Sequence, residues 1–349
     1  MNILITGGAG YLGSVLIPKL LARGHKLRIL DIGYFGVGHL RSLKPSVEII
    51  REDIFRITYD SEFLNGLIKG VDCIVHLAAI SNDPSAEISE DLTEKINFMS
   101  TVILAKAAYE KRIRFIFSSS CSVYGHAEDE LDEEGPVNPM TVYASSKVKA
   151  ETILKEMADS TWSPIILRNG TLFGYSPRMR FDLVVNIFSL YSTIYSTIKI
   201  FGDGLQWRPF LHVSDCARAF IHFIELPKPR YICYNIAHEN LRIIDVAQVF
   251  KNINPSLHIE YLNLKDVDMR NYRVSTERMR VEGFKPRISI EQGAEEMIDA
   301  IISGLIPDPE SIYYRNAKWL KELSRLATGS HAEIIKFMET IAHIRYNQP

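Results

Sequence analysis

Asn2-Ile-Leu-Ile-Thr-Gly-Gly-Ala-Gly-Tyr-Leu-Gly-Ser14 is the stretch on which the reading of the whole chain turns. Residues 2–5 have strand-forming character, and apolar periodicity predicts a helix over 11–22. Between them stand Gly7, Gly10 and Gly13, evenly spaced as G-x-x-G-x-x-G. Gly7 permits a tight strand-to-helix turn, Gly10 lets the backbone approach a pyrophosphate, and Gly13 lets the helix pack close to the strand. The helix N-terminus then offers free N–H groups and the positive end of its dipole to phosphates. A glycine triplet is weak evidence alone; this one gains weight from the strand before it, the helix after it, and an acid at the expected distance. That acid is Asp31, closing a second predicted strand over 27–31, about 20 residues past the glycines. A carboxylate there holds both hydroxyls of an adenosine ribose and repels a 2′-phosphate, so the pattern reads as an NAD site rather than an NADP site.

Outward from this stretch, 349 residues are enough to bury a large core in one compound or two interleaved domains. Composition is ordinary for a globular protein, with 46% hydrophobic and 23% charged residues. A formal net charge of −2 gives no reason to expect nucleic acid or an anionic membrane as partner. Cys73, Cys121, Cys216 and Cys233 form no C-x-x-C pair and no metal-ligand spacing, so they read as reduced thiols of a cytoplasmic enzyme without a metal site. A strand starting at Asn2 leaves no room for a signal peptide, and no apolar run is long enough to span a bilayer.

Strand and helix patterns alternate through the N-terminal half: strands over 47–51, 71–76, 114–118 and 163–167, helices over 61–69, 92–111 and 142–157. The expected fold class is α/β, a Rossmann-type doubly wound parallel sheet. Beyond Gly170 the regularity breaks, with helices over 182–190, 214–225, 243–252 and 290–303 around short strands such as 233–236 and 258–261. The echo Tyr191-Ser-Thr-Ile, Tyr195-Ser-Thr-Ile is too short for a repeat architecture. The expected division is a nucleotide-binding domain over 1–170, to which 205–242 return, and a smaller α/β substrate domain over 171–204 and 243–306. A helical extension over 307–349, with apolar spacing at Trp319, Leu320, Leu323 and Leu326, is expected to pack on the body.

Tyr143-Ala-Ser-Ser-Lys147 fits Y-x-x-x-K, which places a phenol and an ammonium one turn apart on one helix face. A lysine so placed lowers the phenol pKa and can orient a nicotinamide ribose, and the tyrosine can then act as general base towards a hydroxyl. Spacing does not select it, because Tyr195/Lys199, Tyr261/Lys265 and Tyr314/Lys318 match equally. Only Tyr143 lies on the helix following a serine-ended strand, Phe117-Ser-Ser-Ser-Cys-Ser-Val-Tyr-Gly125, in the nucleotide-binding half. Strand carboxyl ends in such a sheet face the cofactor cleft, where hydroxyls can bond the substrate oxygen that loses its proton.

Together these residues resemble the extended short-chain dehydrogenase/reductase family, in particular its NAD-dependent epimerase/dehydratase branch acting on nucleotide sugars. The resemblance covers about residues 1–303 and adds Asp53, His76-Leu-Ala-Ala79, Asn97, Gly202-Asp-Gly204 and Arg208-Pro-Phe-Leu-His-Val213 to the motifs above. It implies that Gly7, Gly10, Tyr11, Leu12, Gly13, Asp31, Asp53, Ile54, Leu77, Ala78, Ala79, Asn97, Ser118, Tyr143 and Lys147 hold NAD. Tyr143, Lys147 and Ser120 would be catalytic, and Ser81, Ser120, Ser122, Thr171, Arg178, Arg180, Asn186, Arg208 and Arg270 would bind the nucleotide-diphosphate sugar. Two arginines near a diphosphate are what its charge and geometry call for. The resemblance also implies a homodimer through the helices at 92–111 and 142–157.

Two departures bear on the reaction. Dehydratases of this family place Asp-Glu after the catalytic Thr, whereas Cys121 and Ser122 stand here, which disfavours a 4,6-dehydratase. Thr171-Leu-Phe-Gly-Tyr175 replaces the usual Asn-Val-Tyr-Gly-Pro and removes a substrate-contacting Asn. Residues 176–186 and 268–275 are similar to GDP-heptose 4-dehydrogenases. The expected function is an epimerase that oxidises sugar carbon 4; the alternatives are a net 4-dehydrogenase and, further off, a non-catalytic dinucleotide-sensing protein.

Overall fold

The computed structural model describes residues 1–263 and 268–327. Its strands are, in chain order, β1 (Asn2–Thr6), β2 (Lys26–Leu30), β3 (Val47–Ile50), β4 (Cys73–His76), β5 (Arg114–Ser120), β6 (His126–Leu131) and β7 (Ile165–Asn169). They continue with β8 (Thr171–Phe173), β9 (Thr197–Phe201), β10 (Trp207–His212), β11 (Cys233–Ile236), β12 (Glu239–Arg242), β13 (His258–Leu262) and β14 (Asn271–Val274). Seven form one sheet in the order β11-β7-β5-β4-β1-β2-β3, every neighbouring pair parallel. Order reverses between β1 and β4, and the crevice at such a switch point is where α/β sheets of this kind bind ligands.

Both faces of the sheet are covered, which is why its strands read as continuous apolar runs. In β1, Ile3 and Ile5 join the cluster under the helices Tyr11–Leu21 and Val213–Glu225, while Leu4 joins the one under Ser100–Glu110 and Val142–Glu156. Within residues 205–242, Val213–Glu225 and β11 pack on or join the large sheet, while β10 and β12 belong to a separate small one. Three smaller assemblies stand at its carboxyl edge: β12-β10-β8, β13-β9 and β14-β6.

Element ends differ from the sequence reading where polar residues are buried. The strand expected over 163–167 runs Ile165–Asn169, and the one over 114–118 reaches Ser120. Hydropathy stops at Leu167, but Arg168 and Asn169 continue the strand because their side chains are satisfied inside. Arg168 Nη2 donates to Glu151 Oε2 at 2.6 Å and its Nη1 to Tyr124 Oη at 2.8 Å; Asn169 Nδ2 donates to Ser118 Oγ at 3.0 Å. Ser119 Oγ donates to the other Glu151 oxygen at 2.5 Å. The helix expected over 92–111 is Glu90–Thr93, a wider π turn at Glu94–Met99, then Ser100–Glu110. The helix expected over 182–190 is Val184–Tyr195, and the helix at the start of the extension is Asn316–Ala327. Lys265 and residues 328–349 lie outside the described residues.

Glu151 and Arg168 are 3% and 1% exposed, so removing the carboxylate leaves an uncompensated guanidinium between two strands. Glu151→Ala is expected to cost about 3–5 kcal/mol in urea unfolding; a loss below about 1 kcal/mol, the level of an exposed pair, contradicts this reading.

Candidate active site

A cavity of ≈ 930 Å³ follows the carboxyl ends of the large sheet, from the glycine turn past Asp31 and Asp53 to Ser120, Tyr143 and Lys147, then on to Arg208 and Arg270. The turn after β1 forms its floor. Gly7 has φ +70°, and a Cβ there would lie 2.6 Å from the Ala78 nitrogen, so only glycine lets this turn meet the loop after β4. At Gly13 the close neighbour is the turn itself, not the strand: a Cβ would lie 2.3 Å from the Gly8 carbonyl oxygen. Asp31 Oδ2 accepts the Ala9 N–H at 2.9 Å and Oδ1 the Gly33 N–H at 2.8 Å. Burial raises the Asp31 pKa against the pull of those two bonds. Asp53 Oδ1 accepts from Phe55 N–H at 2.9 Å, and Ile54, Leu77, Ala78, Ala79, Tyr11 and Leu12 line the same wall. This cradle, with its carboxylate held at the end of β2, fits the adenosine and pyrophosphate of NAD.

His76 ties the floor together. Its Nδ1 lies 2.6 Å from Thr6 Oγ1 and its Nε2 2.8 Å from Thr101 Oγ1. Burial, with Lys147 nearby, pushes its pKa down to about 3, so it is a neutral tie between strands and helix. Asn97, expected to touch the cofactor, does not line the cavity: the π turn points it inward. Its Oδ1 accepts from Ile80 N–H at 2.8 Å and its Nδ2 donates to Ser146 Oγ at 3.1 Å, binding the loop after β4 to the Tyr143 helix.

Thr141 caps that helix, accepting from Ala144 N–H at 3.1 Å while its hydroxyl donates to Asp83 Oδ1 at 2.5 Å. Lys147 Nζ donates to the Ser118 carbonyl at 2.8 Å and sits 5.7 Å from the Tyr143 ring centroid. Burial lowers the Lys147 pKa to about 7, opposed by Glu151. The Tyr143 phenol is raised, first by burial and then by the Asp83 charge; Arg180 and the Ser120 hydroxyl pull it back. Arg180 thus acts as a cation on Tyr143, a part the sequence reading gave to Lys147 alone.

The expected substrate residues separate into groups. Ser81, Ser120, Ser122, Thr171, Arg180, Arg208 and Arg270 line the cavity. Ser122 Oγ and Arg180 Nη2 are buried and without a hydrogen-bond partner among the described residues. Arg208 Nη2 reaches Asp268 Oδ2 at 2.7 Å, and Arg270 grips both oxygens of the same carboxylate, Nε–Oδ1 at 2.8 Å and Nη2–Oδ2 at 2.6 Å. Burial disfavours the Asp268 charge, but the two arginines overcome it and hold the carboxyl well below the usual range. Arg178 lies on the cofactor side, its guanidinium 3.8 Å over the Phe35 ring. Asn186 lies outside the cavity: Oδ1 accepts from Gly174 N–H at 2.9 Å and Nδ2 donates to Tyr11 Oη at 3.1 Å, fixing the turn that carries both arginines. Asp83, Asp182, Asp268 and Asn316 also line the site and carried no local signal as acids or amides of it.

Residues 3–237 match the model of the NAD dependent epimerase/dehydratase family, and the chain belongs to that family. Among its relatives, a human dTDP-D-glucose 4,6-dehydratase is 27% identical over 318 residues, covering 85% of this chain and 89% of the relative. UDP-glucuronic acid decarboxylase 1 of Arabidopsis thaliana is 27% identical over 327 residues, covering 89% and 72%. Among solved structures, UDP-glucuronic acid 4-epimerase from Bacillus cereus with NAD superposes with a TM-score of 0.75 at 26% identity, covering 90% of this chain and 99% of that one. UDP-glucose 4-epimerase of Thermotoga maritima shares the fold, with a TM-score of 0.77 at 23% identity, covering 87% and 100%. The cofactor of this chain is NAD.

Lys147 provides a check on the site's electrostatics. Its folded pKa of about 7 lies below the ordinary 10.5, so between those values the unfolded chain binds more protons and stability rises with pH. Urea unfolding of cofactor-free protein from pH about 7 upward should show this rise, and Lys147→Met should flatten it. An identical slope in Lys147→Met contradicts the assignment.

Proposed function

We propose that the protein is a nucleotide-sugar epimerase that works by oxidising sugar carbon 4. The carrying observation is the run of one cavity from an NAD cradle, through the Ser120, Tyr143 and Lys147 cluster, to paired arginines suited to a diphosphate. Bound NAD supplies the hydride acceptor. Tyr143 accepts the proton of the carbon-4 hydroxyl, Ser120 steadies that oxygen through a hydrogen bond, and Arg180 with Lys147 favours the phenolate. Arg208 and Arg270 exchange the Asp268 carboxylate for the substrate diphosphate, a bidentate partner of the same sign.

Dehydratase and decarboxylase relatives keep the reaction type open at family level, but position 121 argues against dehydration. The Cys121 thiol donates to the Arg168 carbonyl at 3.1 Å, is buried behind the strand and has its pKa raised well above 9 by that burial. It supplies no carboxylic acid to the cavity. A net 4-dehydrogenase is the second reading, supported by the GDP-heptose-like segments 176–186 and 268–275, which place Arg180, Asp182, Asp268 and Arg270 on the cavity wall. The expected homodimer also belongs to this proposal, supported by exposed Leu92 and Met99 beside the expected bundle. Among the described residues no helix is long and apolar enough to cross a membrane.

Tyr143→Phe removes the base and leaves the cofactor cradle intact. Turnover of the sugar should fall by about 10²–10⁴-fold, while NAD affinity measured by calorimetry should fall by no more than the roughly ten-fold that one hydrogen bond is worth. Full turnover in this variant contradicts the mechanism.

A further inference from the structure

The extension beyond the family-matched residues does more than pack on the body. Within its described part, residues 311–327 run along the mouth of the cofactor cleft and are pinned on both banks. On the adenosine side, the Trp319 indole Nε1 donates to the Tyr34 carbonyl at 2.7 Å, and the Tyr313 hydroxyl donates to the Phe35 carbonyl. Trp319 is buried and packs edge-on against Tyr313, ring centroids 5.2 Å apart.

On the opposite bank Asn316 is held by its side-chain amide and its backbone N–H. Its Nδ2 donates to Ser81 Oγ at 3.3 Å, in the loop after β4. Its backbone N–H donates to Asp182 Oδ2 at 3.1 Å, and its Oδ1 accepts from Arg178 Nη2 at 2.6 Å. Arg178 is 2% exposed, sandwiched on the Phe35 ring, and its Nε has no partner among the described residues although the side chain lines the cavity. A buried guanidinium with an unused donor signals an anionic ligand, because burying such a group unsatisfied is costly. Arg315, Asn316, Ala317 and Lys318 line the same cavity as the glycine turn that faces them.

A dinucleotide lying along the carboxyl ends of β1, β2 and β4 therefore passes between the glycine turn and this segment. We propose that residues 311–327 form a strap over the bound NAD, with Asn316 as positioning residue for Arg178, so that the cofactor leaves only when the strap undocks.

The full-length protein is loaded with NADH and chased with excess NAD, and the loss of bound NADH fluorescence gives the dissociation rate. Asn316→Ala and Trp319→Ala should each raise that rate about ten-fold or more, the change appearing in dissociation rather than association. The association rate of NADH should stay within about two-fold of the parent, which separates a cofactor strap from general loosening of the cradle. If Trp319→Ala does not fold, Asn316→Ala decides alone. A dissociation rate within about two-fold of the parent in the folded variants overturns the proposal. The primary readout contains no sugar, so its failure leaves the proposed sugar chemistry standing.

Discussion

The close approach of the turn after β1 to the loop after β4 governs the geometry of the whole cleft. Gly7 sits at φ +70° with the backbone of Leu77 and Ala78 where a side chain would be, so two crossovers meet at the switch point without a Cβ between them. Asp31 then binds the far side of the turn through the Ala9 N–H, and Thr6 binds the near side through His76. With β1, β2 and β4 locked in register, the N-terminus of helix Tyr11–Leu21 faces the cavity as a fixed anion site. Any residue larger than glycine would push the β4 loop outward and move Ser81, and with it the contacts that carry Asn316.

Charge is distributed unevenly along the cavity. The catalytic end holds Tyr143 under burial and the negative Asp83, against the positive Arg180. Asp83 is itself tied to Thr141 and Arg270, so the electrostatic environment of Tyr143 is connected to the Arg208–Arg270 pair. A substrate that displaces Asp268 from Arg270 and Arg208 acts on the same network. In the proposed mechanism this connection is the route by which binding at the two arginines reaches Tyr143.

The doubly wound parallel sheet and the NAD cofactor were legible because they depend on local signals: glycine spacing, an acid at a strand end, apolar runs between turns. Tyr143 and Lys147, selected from four equal matches by their place after the β5 serines, both line the cavity. Strand ends at Asn169 and Ser120 were not, since hydropathy registers no reason to continue a strand into residues that are satisfied only by Glu151 and one another. The π turn at Glu94–Met99 was hidden inside a uniform helical pattern, and it removes Asn97 from the cavity. Asn186 and Arg178 were assigned to the substrate by resemblance, whereas their partners, Tyr11 and Asn316, lie 175 and 138 residues away. Nothing local in the sequence announces such pairings.

The most direct test is the mass of the product. Purified protein is incubated with GDP-, UDP-, CDP- and dTDP-sugars, and products are followed by mass spectrometry alongside NADH absorbance. Oxidation at carbon 4 with the cofactor retained predicts an isomer of unchanged mass and no accumulation of NADH. A product lighter by one H₂ with stoichiometric NADH would contradict the epimerase reading, and loss of one water would contradict the argument from Cys121.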